Sequence, residues 1–106
     1  MSSDSIKQLT DEIRAFSDAR NWYPKGRVNL KGIAISISLE AAELLEHFQW
    51  VNDVEVAARV EEKKGDLSDE LADVVIYALQ FADRAGIDLG EAVQKKMEKN
   101  GKKYPV

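Results

Sequence analysis

Apolar residues recur at intervals of three and four along most of this chain, which is the spacing of amphipathic helices. A first helix is predicted near the N-terminus, with a narrow apolar stripe formed by Ile6, Leu9, Ile13 and Phe16. The following stretch, "NWYPKGRVNLKG", contains Pro24 and Gly26, which interrupt helical periodicity and predict a loop.

A second helix is predicted from about Ile33 to Val51. Its first residues, "IAISISL", alternate like a strand, but the pattern continues into "EAAELLEHF", which is strongly helix-forming. Asn52 and Asp53 interrupt this pattern, and "DVEVAARVEEKK" then predicts a short charged helix. We expect Gly65 to end it.

Two further helices are predicted in the C-terminal half. The segment "ELADVVIYALQFADRA" has helical periodicity, and Gly86 is placed to terminate it. Asp88 is a candidate N-cap for a last helix, which we expect to end at Gly101. The candidate N-caps of the preceding helix are Asp66, Ser68 and Asp69. The pattern predicts an all-α bundle of four or five helices in a single domain over residues 1–106.

Composition narrows the class of protein. The chain has 106 residues, of which 44% are hydrophobic and 32% charged, a balance typical of a globular domain. Its net charge of −4 disfavours an open surface for a nucleic-acid polymer. No cysteine is present, which excludes disulfides and thiolate metal sites. The N-terminal "MSSDSIKQ" lacks a signal-peptide core, and no apolar run has membrane length. We therefore expect a cytoplasmic protein without a membrane partner.

Two pairs of carboxylates lie inside the apolar helical segments. Glu40 and Glu43 are three residues apart, and so are Glu70 and Asp73. Residues at this spacing share a helix face, with Cβ atoms roughly 5–6 Å apart. If the two faces meet, four carboxylates converge, as in bundles that hold metal ions between facing helices. A set of ligands made of oxygen alone favours Mg²⁺ or Mn²⁺.

An E-x-x-E pair is also common on an ordinary solvated helix face, and this alternative has to be weighed. Two features favour a site. Both pairs have apolar neighbours, and no Lys or Arg lies four residues before or after any of the four acids. A salt-bridged surface helix places opposite charges at those positions.

The acid pairs and their surroundings resemble the MazG-like, all-α nucleoside triphosphate pyrophosphohydrolases. The segments "SLEAAELLEHFQW", "DELADVVIYAL" and "KKMEKNGKKYPV" occur in the order found in that family. Together they resemble its small branch, which includes dCTP pyrophosphatases. The resemblance extends from about Arg20 to Val106.

The resemblance implies a reaction and a set of site residues. The four acids, Glu40, Glu43, Glu70 and Asp73, are implied to bind Mg²⁺, for which Mn²⁺ can substitute. Glu40 and Glu43 are also implied as catalytic, one of them orienting the water that attacks. The implied reaction converts a nucleoside triphosphate to a monophosphate and pyrophosphate, in nucleotide-pool sanitation. A (d)NTP such as dCTP, or a modified analogue, is the implied substrate.

The substrate-binding residues implied by the resemblance are Trp22, Trp50, Tyr77, Lys96, Asn100, Lys103 and Tyr104. Alternatives remain open for several of them. Tyr77 and Trp50 also suit core packing, and Lys residues near a helix C-terminus favour the helix dipole in any protein. The chain departs from the family after Trp22, where relatives often carry a histidine near the base. Asn29 and Lys31 are candidates to replace that contact.

Two other functional classes compete with this one. A noncatalytic helical interaction or regulatory module would present the acids as a solvated or partner-binding face. A di-iron carboxylate protein would require Glu-x-x-His pairs, and neither Glu40 nor Glu70 has a histidine three residues later.

Assembly is predicted from the second helix, which is apolar on nearly all sides. A helix of this kind is buried on all sides, so a chain this short needs another subunit to cover it. We expect a homo-oligomer, either a dimer or a tetramer. The residues concerned are Ile33, Ile35, Ile37, Leu39, Leu44, Leu45, Phe48 and Trp50.

Overall fold

The computed structural model of the chain describes residues 5–106, and over these residues helices are the only regular secondary structure, which confirms the all-α class. Two short 3₁₀ helices, Gly26–Asn29 and Asp53–Glu55, occur in the connections. The five α-helices are α1 (Ile6–Ala19), α2 (Leu30–Glu46), α3 (Val56–Glu62), α4 (Lys64–Ala85) and α5 (Leu89–Lys103).

Side-chain caps and one glycine set three of the helix ends. Ser5 Oγ accepts a hydrogen bond from Gln8 N at 3.0 Å and caps α1. The predicted cap of α5 is confirmed, because Asp88 Oδ1 accepts from Glu91 N at 3.1 Å. Gly86 follows α4 with φ of 74°, a left-handed conformation that glycine adopts without steric cost, as predicted for a C-terminal cap.

The junction between α3 and α4 differs from the prediction. Gly65 does not end a helix, because α3 ends at Glu62 and α4 already begins at Lys64. The Leu67 N–H donates to Lys63 O at 2.8 Å, so the first turn of α4 encloses the glycine. Ser68 is not a cap either, since its hydroxyl donates to Lys64 O inside the helix.

Two other helix ends were also predicted incorrectly. The second helix ends at Glu46 rather than Val51, and its last residues are replaced by turns over 47–50. The last helix continues past Gly101 to Lys103. Glycine disfavours a helix interior by only about 1 kcal/mol, so a single glycine without a left-handed conformation does not have to terminate one.

The chain divides into two compact units. The first comprises residues up to Leu30 together with Leu79–Val106, and the second comprises Lys31–Ala78. In the first unit α1 contacts α5, and Leu79 and Ala82 are buried. In the second unit Ile33 and Leu67 are buried. Helix α4 contributes residues to both units, and both carboxylate pairs lie in the second.

Candidate metal centre

Three of the four predicted acids come together in the second unit. Helix α2 carries Glu40 and Glu43 one turn apart, and α4 carries Glu70. One carboxylate oxygen from each lies within 4.8 Å of the others. Glu40 and Glu70 are half-buried and Glu43 is exposed. This spacing lets three separate carboxylates reach one cation.

Asp73 lies one turn beyond Glu70 on α4 and is half-buried. It is outside the group of three, yet its negative charge raises the pKa of both Glu40 and Glu70. The fourth predicted acid therefore belongs to the same electrostatic environment. We refer to Glu40, Glu43, Glu70 and Asp73 together as the acidic cluster.

Crowding of negative charge is visible in the pKa values of the cluster. The pKa of Glu40 is raised to about 7, first by a hydrogen bond with the Glu43 carboxyl, then by loss of solvent and by the charges of its neighbours. The pKa of Glu70 is raised as well, with loss of solvent as the largest cause and Glu43 next. Both shifts have the same physical origin, because burial and neighbouring negative charges disfavour the ionised carboxylates.

Two oxygen atoms of the cluster have no partner. Glu40 Oε2 and Glu70 Oε2 are buried, and neither forms a hydrogen bond with any group in residues 5–106. None of the ion pairs found in that part of the chain includes a cluster acid. Buried polar atoms without partners are rare and costly. The donor set and the orphaned oxygens both fit a hard divalent cation such as Mg²⁺ or Mn²⁺.

Tyr77 and Trp50 also lie in the second unit. Tyr77 is half-buried on α4, one turn beyond Asp73. Trp50 is 87% exposed in the turn that follows α2. A residue this exposed is not a core anchor of the single chain, so the structure removes that alternative for Trp50. Its ring is available to a ligand or to another subunit.

Trp22 lies in the first unit, at the beginning of the loop between α1 and α2. Trp22 is 51% exposed, and its ring centroid lies 5.4 Å from that of Phe16 in a T-shaped arrangement. Asn29, a candidate replacement for the missing histidine, accepts a hydrogen bond from Lys25 N through its side chain. That contact uses its Oδ1 within the loop. Lys31 is exposed.

The four predicted residues of α5 and its end also lie in the first unit. Lys96 and Lys103 are exposed, and Asn100 is half-buried. Tyr104 is 67% exposed, and its ring lies 5.3 Å from Lys103 Nζ. Lys103 lies in the last turn of α5, where a cation interacts favourably with the helix dipole, whereas Lys96 lies in the middle of the helix. Both ammonium groups are on exposed residues, where an anionic ligand can reach them.

Two buried polar residues, Gln80 and Ser17, were not predicted from the sequence. Gln80 on α4 is 4% exposed and hydrogen-bonds Ser17 and Tyr23 through its two amide atoms. The signal was present, since an amide interrupts the apolar run "VVIYALQFA". Its partners are 63 and 57 residues away along the chain, which no local pattern reveals.

Comparisons with known proteins agree with the resemblance seen in the sequence. A model of the MazG-like family matches residues 35–106. The dCTP pyrophosphatase 1 of Mus musculus is 31% identical over 105 residues, which are 97% of this chain and 59% of that protein. The human dCTP pyrophosphatase 1 is 31% identical over 104 residues, or 96% of this chain and 58% of that protein. The chain thus spans somewhat more than half the length of these relatives.

A solved structure is similar along nearly the whole chain. The crystal structure of a pyrophosphatase from Archaeoglobus fulgidus superposes with a TM-score of 0.87 at 45% sequence identity. The match covers 95% of this chain and 93% of the archaeal one. Over residues 5–106, every helix is too short or too polar to cross a lipid bilayer.

Proposed function

Because this chain belongs to the MazG-like family, we propose that it is a Mg²⁺-dependent nucleoside triphosphate pyrophosphohydrolase. The reaction converts a (d)NTP to a (d)NMP and pyrophosphate, in nucleotide-pool sanitation. dCTP or a modified cytosine analogue is the first candidate substrate, in keeping with the names of the mammalian relatives. The observation that carries the proposal is the acidic cluster, with three carboxylates within 4.8 Å and two buried oxygens lacking partners.

In this proposal the acidic cluster holds the metal. Glu40, Glu43 and Glu70 each supply a carboxylate oxygen, and Asp73 completes the set from the next turn of α4. Held by these carboxylates, Mg²⁺ would supply charge neutralisation at the phosphate oxygens and a lower pKa for the attacking water. A carboxylate of Glu40 or Glu43 orients that water by accepting its hydrogen bond. Glu43 suits this role because it is exposed and therefore reaches a ligand from the solvent side.

The remaining predicted residues are assigned to the substrate. Stacking on an exposed aromatic ring is a sequence-tolerant way to hold a base, and Trp22 and Trp50 are both more than half exposed. We assign the ammonium groups of Lys96 and Lys103 to the phosphates, because both are free to approach an anion. Asn100, Tyr77 and Tyr104 are assigned to the sugar and the phosphates.

The direct test is hydrolysis of a panel of nucleoside triphosphates by the purified chain with Mg²⁺ or Mn²⁺, read as release of pyrophosphate. We expect activity with at least one pyrimidine deoxynucleotide and none after removal of divalent metal with EDTA. A matched control is Glu46→Gln, an exposed acid at the end of the same helix that is outside the cluster. Release of inorganic phosphate instead of pyrophosphate, or no turnover of any nucleotide, would contradict the proposal.

The position of attack is tested separately by hydrolysis in ¹⁸O-labelled water. Attack at the α-phosphorus transfers the label to the monophosphate and leaves pyrophosphate unlabelled. Mass spectrometry of both products distinguishes this from attack at the β-phosphorus, which labels pyrophosphate. Label in pyrophosphate would refute the proposed regiochemistry but would not contradict the proposed metal site.

We also propose a homo-oligomer, a dimer or a tetramer, as the working form. The support lies in the second unit, where apolar side chains on α2 and α4 remain about half exposed in the single chain. These are Ile35, Leu39, Leu45, Leu71 and Val75. Ile35 and Leu39 lie four residues apart on α2, and so do Leu71 and Val75 on α4, so each pair shares a helix face. Exposed apolar helix faces are candidates for burial against another subunit.

A further inference from the structure

A single buried amide connects α4 to the end of α1 and to the loop that follows. Gln80 Nε2 donates a hydrogen bond to Ser17 Oγ at 2.8 Å, and Gln80 Oε1 accepts one from the Tyr23 hydroxyl at 2.6 Å. Gln80 is 4% exposed, and Ser17 is fully buried. Both ends of the amide are therefore satisfied, which is the condition under which a buried polar group is tolerated.

Both hydrogen-bond partners of Gln80 are directly linked to Trp22. Trp22 N donates to the backbone oxygen of Ser17 at 3.2 Å, and Tyr23 is the next residue in the chain. Asn21, immediately before Trp22, has φ of 50°, in the left-handed region. Trp22 is thus connected through its backbone to two residues, Ser17 and Tyr23, whose side chains hydrogen-bond Gln80.

The ring of Trp22 is left partly free by this arrangement. It contacts the ring of Phe16 at an interplanar angle of 74°. Phe16 is itself covered by the Arg20 guanidinium, 3.5 Å from the ring centroid. About half of the Trp22 surface stays exposed. The indole can therefore stack with a flat ligand such as a nucleobase.

The far end of the loop is also tied to α4. Arg27, in the first 3₁₀ helix, donates to the backbone oxygen of Ala85 at 3.3 Å. A Cβ on Gly86 would lie 3.4 Å from the same guanidinium. The loop is therefore attached at Tyr23 and again at Arg27, which limits the orientations open to Trp22.

We propose that Gln80 is a positioning residue, which holds Trp22 through Ser17 and Tyr23 in the orientation that receives the base of the substrate. This inference rests on the proposed function, because it takes Trp22 as a base contact. Its physical basis is preorganisation: a ring already held in place loses less conformational freedom on binding, so binding is tighter. Gln80 itself does not touch the substrate.

The first test separates substrate binding from turnover in Tyr23→Phe and Gln80→Leu. We expect KM for the preferred nucleotide to rise about threefold to tenfold, less than the full loss of a stacking contact, with kcat almost unchanged. The Mg²⁺-induced rise in melting temperature should be the same as in the wild type. An unchanged KM, or a loss confined to kcat, would overturn the proposal.

A second variant distinguishes positioning from a purely structural role. In Ser17→Ala/Tyr23→Phe/Gln80→Leu the polar side-chain groups of all three residues are replaced together, so none of the three loses its partner while keeping its own polar group, and much of the stability should return. We expect KM to stay raised in this variant. If KM instead recovers together with the melting temperature, Gln80 acts only on stability and the proposal fails.

The control variant is Arg14→Gln, which removes another link between α1 and α4 without touching the network. It should lower the melting temperature and leave KM unchanged. A rise in KM equal to that of Tyr23→Phe would mean that any loss of stability in this unit weakens binding, and would overturn the proposal.

A spectroscopic measurement makes the outcome independent of hydrolysis. The chain has two tryptophans, so a Trp50→Phe background leaves Trp22 as the fluorescent residue. Adding Gln80→Leu, or separately Tyr23→Phe, should increase quenching of Trp22 by acrylamide, because the ring gains freedom. If the wild type hydrolyses no nucleotide, the proposed function fails and the quenching alone decides whether Gln80 positions Trp22. Unchanged quenching would overturn the positioning role.

Discussion

The carboxylate of Glu43 raises the pKa of both Glu40 and Glu70, so its removal should relieve the cluster. We predict that Glu43→Gln melts at a higher temperature than the wild type in the absence of metal, because one of several mutually repelling charges is gone. Mg²⁺ should stabilise this variant less than the wild type. In the wild type, a ligand at 100 times its dissociation constant adds about 2.7 kcal/mol to the free energy of unfolding. Hydrolysis should be lost. Asp73→Asn should behave in the same way from the other helix.

Thermal melting with EDTA and with Mg²⁺ measures these shifts, and Glu46→Gln is the matched control. Glu46 is an exposed acid outside the cluster, so its substitution should change the free energy of unfolding by no more than about 0.5 kcal/mol. If Glu43→Gln behaves like this control in both buffers and keeps its hydrolysis, the acids are an ordinary solvated face.

The raised pKa of Glu40 also makes the stability of the metal-free chain depend on pH. Its pKa is about 7 in the folded chain against an ordinary value of 4.5, so between these values the folded state holds a proton that the unfolded state has released. Stability must then fall as pH rises through this window. We predict that, in EDTA, the wild type loses melting temperature relative to Glu40→Gln between about pH 5 and about pH 7.5. A constant difference between the two proteins would contradict it.

At the scale of whole helices, the Arg14–Asp83 pair joins α1 to α4 within the first unit. The guanidinium donates to both carboxylate oxygens, at 2.9 and 2.5 Å, and Asp11 approaches it at 3.1 Å. Arg14 is 43% exposed, so the coupling should be modest, about 1 kcal/mol. A double-mutant cycle with Arg14→Gln and Asp83→Asn, measured by urea unfolding, gives this coupling directly.

The same pair has a pH dependence of the opposite sign to that of Glu40. The hydrogen bond from Arg14 holds the pKa of Asp83 below its ordinary value of 3.8. Its stabilising contribution is therefore fully present above that value and is lost as pH falls through the lower, folded-state pKa. We predict that the coupling between Arg14 and Asp83 is unchanged from neutral pH to about pH 5 and disappears in stronger acid. A coupling that stays constant into strong acid would show that charge is not its source.

At the scale of the molecule, assembly is the property most open to test. Light scattering at micromolar concentration should give a multiple of the 11.9 kDa chain mass, because obligate interfaces persist at that concentration. Ile35→Asp and Val75→Asp each place a charge on the apolar surface of α2 or α4 and should shift the mass towards that of one chain. Val54→Asp, at a 91% exposed position in the second 3₁₀ helix, is the control. A stable single-chain mass for the wild type would contradict the prediction.

The sequence by itself determined the helical class and most of the helices. Periodicity of apolar residues, the Asp88 cap and the left-handed Gly86 are local properties that involve residues at most four apart, and each is found in the structure. The spacing of the two acid pairs along their helices is equally local. By contrast, the C-terminal ends of α2 and α5 and the N-terminal end of α4 were predicted incorrectly, because a glycine or a polar residue changes the free energy of a helix end by only about 1 kcal/mol and packing overrides it.

What only the tertiary structure decided is which distant groups meet. Glu40 and Glu70 each have one carboxylate oxygen that is buried without a hydrogen-bond partner, and no sequence pattern predicts this. Gln80 looked like an interruption of an apolar run, and only packing places Ser17 and Tyr23, 63 and 57 residues away, at its two amide atoms. The physical reason is range: helix periodicity arises from neighbours along the chain, whereas burial and hydrogen bonding between helices depend on how their faces come together.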